Sequence, residues 1–460
     1  MRKNIIKNDG YALIYLLVII FLFSIMMVPI TSLLVTRMKV ITSTVNREQA
    51  LQIADAGINY YQWHLAHFPT DYQDGTGTGT GPYIHDYLDK DTGQILGQYS
   101  LVITPPAVGS TIVTITSTGY TTANPLIKRT VTARYGIPSL AKYAFLSNDI
   151  VWIGDTEAVT GELQSNNGIR FDGTTNAPVG STKTTYTCST YQGSPCPAVK
   201  NGVWGSASQA IQNLWQFPVP TVDFSTLTAD LAGIKSSAQS AGIYLPPSSS
   251  NGYSLVFNSN GTVSVYKVSN LTSNTNGTDI NRISRGNTDY RNRSFQYTRA
   301  IPANGLIYIE DNTWVEGTIK GKVLVAAAVL PYVASTAPSI FIPNNIVYAA
   351  KDGTNILGLL AQRDVITTHN TPTILEINAA LIAQNGSVQN FNYGHVKNLI
   401  TVYGSIMSYG QWTWSYSSGS TITSGYTNTS SIYDGTLLFG PPPSFPLSSS
   451  GYQQMDWTSN

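Results

Sequence analysis

The longest apolar segment of the chain lies close to its N-terminus. No charged residue occurs from Tyr11 to Thr36, and Arg37 ends the run. A helix that crosses a membrane needs about 20 mainly apolar residues, so this run predicts a membrane-spanning helix. Pro29 is expected to kink the helix, since neighbouring groups in a membrane can satisfy the carbonyl that it frees. A plain signal anchor would show the same apolar run.

The next segment changes from uniformly apolar to amphipathic. Over residues 43–67, apolar side chains recur at helical spacing and charged side chains occupy the opposite side. The pattern predicts that one helix continues over residues 11–68. Its apolar positions, among them Leu51 and Ile58, are expected to pack against a neighbouring element or subunit.

Alternating apolar and polar residues then predict β-strands within residues 69–136. The runs richest in β-branched residues are Gln98–Thr104, Ser110–Thr118 and Ile127–Tyr135. Alternation with a period of two is typical of strands that bury one face. These runs predict a small antiparallel sheet that packs on the end of the helix.

Short apolar strands separated by polar turns fill residues 137–460 and are densest from Gly305 to Met407. Coils that turn in the same sense let each coil bury the apolar face left by the previous one. We therefore predict a right-handed parallel β-helix, or solenoid, whose narrow interior takes small residues such as Ala326 and Ala380. A β-sandwich is the alternative. A helical pattern at residues 204–242 predicts an insertion, so the expected fold class is mainly β with a long N-terminal α-helix.

Composition narrows the classes of function. Charged residues make up 11% of the 460 residues, and the formal net charge is +1. Bulk charge therefore does not indicate a nucleic-acid-binding surface, and the polar, uncharged composition suits an extracellular β-rich protein. The sequence contains two cysteines, Cys188 and Cys196. A disulfide between them is expected in an oxidising compartment, with two free thiols as the alternative.

The junction between the basic leader and the apolar run carries a further signal. Residues 1–10 hold three basic side chains, and Gly10 directly precedes the run. This junction resembles the processing site of type IV pilins and type II secretion pseudopilins. The resemblance implies that a prepilin peptidase cuts after Gly10 and methylates Tyr11. Main subunits of that family carry a glutamate where this chain has Tyr15, which favours a minor, initiating or tip subunit.

Two further resemblances concern the rest of the chain. Residues 48–58 (EQALQIADAGI) resemble the segment that follows the membrane helix in minor pilins of the PilX type. The order of later segments, from residues 159–173 to the proline-rich tail at 441–446, resembles that of bacterial pilin-like proteins with a β-helical exodomain. That exodomain has no agreed activity.

These resemblances imply a structural subunit docked through its N-terminal helix. Tyr15, Pro29, Leu51 and Ile58 would take part in filament or helix packing. The chain would cross the inner membrane once, with its N-terminus in the cytoplasm and its C-terminal domain outside, and would reach the cell surface or a filament after assembly. The implied partners are the prepilin peptidase, other pilin or pseudopilin subunits, the inner membrane and surface glycans.

A pair of tryptophans is a candidate for contact with such glycans. Trp412 and Trp414 alternate along a predicted strand, so both would lie on one face. Indole rings stack well on sugar rings when they are exposed, but the same spacing suits a buried core.

An anchored carbohydrate-active enzyme, such as a polysaccharide hydrolase or lyase, is the alternative function. Acidic residues cluster in two segments, which contain Asp155, Glu157 and Glu162, and Glu310, Asp311 and Glu316. Two carboxylates on neighbouring coils could converge for acid–base chemistry on a glycosidic bond. Turn and surface roles are favoured, because aspartate is a common turn residue. We therefore expect no enzyme activity, no cofactor and no metal site.

Overall fold

The computed structural model describes residues 9–77, 79, 81–224, 230–273, 276–419, 421–448 and 451–459. The chain forms two compact units. The first, called the N-terminal unit, contains the described parts of Met1–Pro105, Val113–Tyr135 and Gln454–Asn460. The second, called the solenoid unit, contains the described parts of Pro106–Ile112 and Gly136–Gln453. Residues 1–8 of the expected leader lie outside the described residues.

One long helix begins the N-terminal unit. Helix α1 runs from Asp9 to His67 and includes Pro29, which confirms the predicted long N-terminal helix. Every side chain from Tyr11 to Val45 is exposed. After that point, buried apolar residues recur every three or four positions, as expected for a helix with one packed face. These residues are Ala50, Ile53, Ala54, Ile58, Tyr61 and Leu65.

A five-stranded sheet packs on the second half of α1, in the order β1-β2-β3-β4-β34. The strands are β1 Tyr83–Leu88, β2 Ile95–Thr104, β3 Ile112–Thr121, β4 Asn124–Gly136 and, near the end of the chain, β34 Gln453–Ser459. Strand β2 pairs antiparallel with β1 and with β3. The small antiparallel sheet is therefore confirmed, although the sequence did not predict β1 or β34. Strand β34 lies within residues 137–460, the range expected to form the solenoid.

The sheet and the helix come very close at a glycine of β3. A Cβ atom on Gly119 would lie 2.3 Å from the backbone nitrogen of Ala54 and 2.4 Å from the carbonyl oxygen of Ala50. Heavy atoms do not approach this closely in packed interiors. The absence of a side chain at Gly119 therefore sets the distance between β3 and α1.

The solenoid unit consists mainly of short strands. In chain order they are β5 Phe145–Ser147, β6 Val151–Ile153, β7 Glu157–Thr160, β8 Leu163–Ser165, β9 Ile169–Phe171, β10 Thr174–Thr175, β11 Val179–Ser181, β12 Thr185–Thr187, β13 Val199–Asn201, β14 Val203–Trp204, β15 Trp215–Gln216, β16 Ile243–Leu245, β17 Gly252–Asn258, β18 Thr262–Leu271, β19 Gly277–Thr278, β20 Ser284–Arg285 and β21 Tyr290–Ala300. They continue with β22 Leu306–Ile309, β23 Thr313–Ile319, β24 Lys322–Ala327, β25 Ile340–Ile342, β26 Ile346–Tyr348, β27 Ile356–Ala361, β28 Val365–Thr367, β29 Ile374–Ala383, β30 Val388–Asn390, β31 Val396–Ser408, β32 Ser415–Ser418 and β33 Thr421–Tyr433.

Parallel ladders connect these strands into a stack. One ladder joins β16, β22, β24, β27, β29, β31, β5, β8, β11 and β15. A second joins β23, β26, β29, β31, β33, β7 and β10. Successive parallel pairing is the pattern of a β-solenoid, and a sandwich of antiparallel sheets does not produce it. Ala326 and Ala380 are fully buried in its core, as predicted.

The coils of the solenoid are not stacked in chain order. Phe145 of β5 pairs with Ile406 of β31, and Glu157 of β7 pairs with Thr429 of β33. The first strands of the unit therefore extend the stack beyond its last strands. The sequence predicted an early part of the same architecture near Tyr143 but did not predict this order.

The expected insertion at residues 204–242 is only partly helical. It contains the short helix α2 Gln209–Gln212, strand β15 and helix α3 Leu231–Ala241, while residues 225–229 lie outside the described residues. The carboxylate of Asp230 accepts a hydrogen bond of 2.8 Å from the backbone nitrogen of Gly233 and so caps α3. Helix α3 contacts β16 and β22 and buries Leu231, Ile234 and Ala238.

Candidate membrane anchor and other sites

The first half of α1 is the most distinctive surface of the described chain. By length and composition, α1 is apolar enough to cross a membrane, and no side chain in its most apolar window is buried. Large contiguous apolar surfaces on water-soluble monomers are rare and usually mark a site of interaction. The exposed apolar run from Tyr11 to Thr36 is therefore a candidate membrane anchor.

Several hydroxyl groups of this segment are satisfied within the helix. Ser24 Oγ donates a hydrogen bond of 2.8 Å to the carbonyl of Ile20, and Thr36 Oγ1 donates one of 2.8 Å to the carbonyl of Ser32. Groups that bond internally need no water. These hydroxyls are therefore compatible with a hydrocarbon environment.

The residues expected at the processing site lie at the start of α1. Gly10 is helical, and Tyr11 and Tyr15 are both exposed. Pro29 lies inside the exposed half of the helix. Tyr11, Tyr15 and Pro29 are therefore accessible on the surface of α1.

The two packing residues expected further along α1 differ from each other. Leu51 is partly exposed, whereas Ile58 is buried. Ile58 faces the sheet of its own unit, because it belongs to the row of residues that the sheet covers. Ile58 therefore packs against a neighbouring element of its own unit, while Leu51 remains partly accessible for contact with another subunit.

A group of polar contacts fixes the end of α1. The Tyr61 hydroxyl donates a 2.9 Å hydrogen bond to the carbonyl of Asp71, and His64 Nε2 lies 3.1 Å from Asp71 Oδ2. His85 Nε2 lies 2.6 Å from Asp74 Oδ2. A hydrogen bond from the backbone nitrogen of Gln73 lowers the pKa of Asp71, with help from other donors. The sequence did not predict this cluster, because its members are separated in the chain.

Both candidate sugar-stacking tryptophans are buried. Trp412 is 8% exposed and Trp414 is 1% exposed. Their rings meet edge to face with centroids 6.2 Å apart, and Trp412 packs against Phe145 at 5.0 Å. The expectation that they form a glycan-binding surface is therefore corrected: the interior of the solenoid covers them.

The candidate acidic residues are held by separate partners. Glu310 pairs with Lys235 and accepts a 2.6 Å hydrogen bond from the Tyr244 hydroxyl. Glu316 lies 2.9 Å from Arg293 Nη1. Glu157 lies on β7, whose partners are β10 and β33. Glu316 lies on β23 and Glu310 directly follows β22, and neither of these strands pairs with β7. The two acidic segments thus belong to different ladder positions and do not form a common pair.

Glu157 is nevertheless unusual. Its side chain accepts a 2.7 Å hydrogen bond from the backbone nitrogen of Gly154. Burial raises the pKa of Glu157 to about 7, because a low-dielectric environment disfavours the charged form. A raised pKa suits a general acid, but the residue Glu157 is only 8% exposed. The environment fits a buried structural group that ionises near neutral pH.

A second polar cluster, also missed in the sequence, lies around β31. Lys397 donates a 2.8 Å hydrogen bond to the carbonyl of His369, and burial lowers the pKa of Lys397 to about 8. The rings of His369 and His395 are 4.5 Å apart. Burial, followed by the charges of Lys397 and His369, lowers the pKa of His395. The described residues include no group of three or more His, Cys, Asp or Glu side chains that could hold a metal ion.

Cys188 and Cys196 form a disulfide, with their Cα atoms 5.6 Å apart. The bond closes the loop between β12 and β13, which pair antiparallel. The cross-link therefore restrains an irregular loop at the side of the solenoid unit.

No protein-family model matches the sequence, and no curated protein matches it. One solved structure that aligns with the chain is the crystal structure of the competence-associated pilin ComZ from Thermus thermophilus. The alignment covers 90% of this chain and 97% of the other, with 13% sequence identity and a TM-score of 0.30. A TM-score this low supports no conclusion on fold or function.

Proposed function

We propose that this chain is a membrane-anchored, pilin-like subunit that displays a β-solenoid outside the membrane. The observation that carries the proposal is the division of α1 into two halves. Residues 11–45 are all exposed and contain the uncharged apolar run that ends at Thr36, while the second half of the same helix is packed under a small sheet. A helix of this kind needs a hydrocarbon environment or neighbouring helices for its first half.

The finer proposal is a minor subunit processed after Gly10. The basic leader and the glycine at the start of the apolar run support cleavage at that bond, which would leave Tyr11 as the methylated N-terminus. The tyrosine at position 15 supports a minor or tip position, since it cannot supply the carboxylate of the main subunits. Prepilin peptidase and other pilin subunits are the proposed partners, and the cell surface or a filament is the proposed final location.

Adhesion is the proposed use of the solenoid. Because Trp412 and Trp414 are buried, a glycan would have to stack on other aromatic side chains. Phe295 and Tyr409 are exposed and supply such rings. We assign no catalytic step to the chain, because Glu310 and Glu316 are each neutralised by a basic partner.

Coexpression with a prepilin peptidase tests the processing step. The full chain is expressed with and without the peptidase, and the intact mass of the membrane fraction is measured. We expect loss of residues 1–10 only when the peptidase is present, and Gly10→Val should abolish the loss. Gly286→Ala is the matched control, since a Cβ there would meet open space. An unshortened wild-type chain in the presence of active peptidase would contradict the proposal.

A further inference from the structure

One end of the small sheet lies beside the part of α1 where the apolar run ends. Asn124 and Ile127, at the start of β4, line a surface hollow together with Val35, Met38 and Lys39 of the helix. The turn between β3 and β4 is therefore at the end of the sheet that faces the N-terminal half of α1.

This end of the sheet carries exposed aliphatic side chains. Leu126 is 91% exposed, the largest value among the exposed large apolar side chains of the described residues. Leu88, the last residue of β1, and Ile95 and Leu96, the first two residues of β2, are also exposed. They lie next to the turn between β3 and β4, because the backbone nitrogen of Thr122 in that turn donates a 3.0 Å hydrogen bond to the carbonyl of Leu96. We call these four residues, Leu88, Ile95, Leu96 and Leu126, the aliphatic rim.

Basic residues flank the most exposed member of the rim. Lys128 is exposed two positions after Leu126, and Lys39 lines the hollow beside it. Acidic residues are present on the turn between β1 and β2, where Asp89 accepts hydrogen bonds from the backbone nitrogen and hydroxyl of Thr92. The turn between β1 and β2 also carries Lys90 between Asp89 and Asp91, so the net positive charge at this end of the sheet lies on the side of Lys128 and Arg129.

The position of the rim relative to the bilayer follows from the length of the apolar part of α1. The run from Tyr11 to Thr36 has 26 residues, which corresponds to about 39 Å of helix. The hydrocarbon core of a bilayer is about 30 Å thick, and the headgroup regions extend it to about 40–45 Å. Residues near Val35 and Lys39 therefore reach the headgroup region, and the turn that lies beside them reaches it too.

We propose that the turn between β3 and β4 is a second membrane contact, in which Leu126 enters the headgroup region of an anionic bilayer and Lys39 and Lys128 lie beside lipid phosphates. The inference rests on the proposed membrane anchor. An exposed leucine gains free energy by leaving water, and basic groups near an anionic surface are attracted to it. The contact would hold the small sheet against the bilayer before assembly.

A fluorescent label at the turn tests this contact. The variant Leu126→Cys is labelled with an environment-sensitive dye while Cys188 and Cys196 remain in their disulfide. The full chain is reconstituted in vesicles of phosphatidylcholine with phosphatidylglycerol, or of phosphatidylcholine alone, with a nitroxide quencher on some lipid headgroups. Val102→Cys is the matched control, because Val102 is an exposed residue of β2 that pairs with Thr116, away from the turn.

We expect a blue shift and lipid quenching of the label at position 126 in anionic vesicles, both reduced by high salt, and neither at position 102. Lys128→Gln should lower the ratio of membrane-bound to free turn by about fivefold, which is the effect of one basic group near an anionic membrane. Lys200→Gln, which removes the same charge from the solenoid unit, should have no such effect.

The remaining outcomes separate this inference from the proposed function. Protein that does not float with vesicles on a density gradient would contradict the membrane anchor itself. Protein that floats while the label at position 126 stays in water would overturn the second contact alone. A blue shift of the label that grows with protein density, but comes without lipid quenching, would mean that the rim binds another copy of the chain. That result would also overturn the second membrane contact.

Discussion

The buried carboxyl of Glu157 allows a quantitative prediction. Its pKa is raised to about 7 from an ordinary value of 4.5, and burial is the main cause. The substitution Glu157→Gln keeps the shape of the side chain and an oxygen that can accept the hydrogen bond from Gly154. It therefore removes the ionisation and little else.

The sign of the effect follows from proton binding in the two states. Below about pH 4.5 the folded and unfolded states both hold the proton, so no difference arises. Between about pH 4.5 and 7 the unfolded state loses the proton while the folded state retains it, so the free energy of unfolding falls as pH rises. A pKa difference of this size corresponds to about 3 kcal/mol. The wild type should lose this amount relative to Glu157→Gln, and the loss should level off above about pH 7.

Urea unfolding of the full chain, followed by tryptophan fluorescence at several pH values, measures this difference. Glu376→Gln is the control, because Glu376 forms an exposed ion pair of 2.9 Å with Lys351, and such surface pairs contribute about 1 kcal/mol or less. Parallel pH profiles for the wild type and Glu157→Gln would refute the account of Glu157. A difference that grows in the opposite direction would refute it equally.

Three further substitutions test packing. Gly119→Ala should destabilise the N-terminal unit by about 1–3 kcal/mol, because its Cβ would lie 2.3 Å from the nitrogen of Ala54; hydrogen exchange in α1 should rise, and unchanged exchange would contradict the close approach. Trp414→Ala should cost about 3–5 kcal/mol in urea unfolding, whereas a stable variant with altered glycan binding would indicate a surface role. Cys196→Ser should cost about 2 kcal/mol, measured by thermal unfolding under non-reducing conditions, and an unchanged midpoint would contradict a stabilising disulfide.

The long helix could be predicted from the sequence because its signals are local. An uncharged run of 26 residues, followed by helical spacing, leaves few other interpretations. Strands β2, β3 and β4 were also predictable, since each shows clear alternation of buried residues. Strand β34 escaped because most of its side chains are exposed, so it lacks the apolar alternation that marks a half-buried strand.

The arrangement of coils could not be predicted, because it depends on contacts between distant residues. Nothing local in residues 145–147 indicates that β5 continues the ladder from β31, more than 250 residues later. Likewise, the alternating sequence placed Trp412 and Trp414 on the same face of a strand, but it did not show whether that face is buried or exposed. Phe145, which packs on Trp412, comes from that distant strand.

The polar clusters could not be predicted from local sequence patterns for the same reason. Glu157 is adjacent in sequence to the exposed residue Thr156, and the coil that includes Thr429 covers it only in the folded chain. The rim was hidden for a related reason. Leu126 directly precedes the strand predicted at Ile127–Tyr135, and its exposure could be interpreted only once the neighbouring turn was seen to lie beside Val35 and Lys39.

The most direct test of the central claim is the mass of the N-terminal peptide from surface filaments of cells that possess a prepilin peptidase. The filaments are sheared and purified, and the first peptide of this chain is analysed by tandem mass spectrometry. The account predicts a peptide that begins at Tyr11 and carries one N-terminal methyl group. A chain that retains Met1 in such cells, or that never enters the filament fraction, would contradict it.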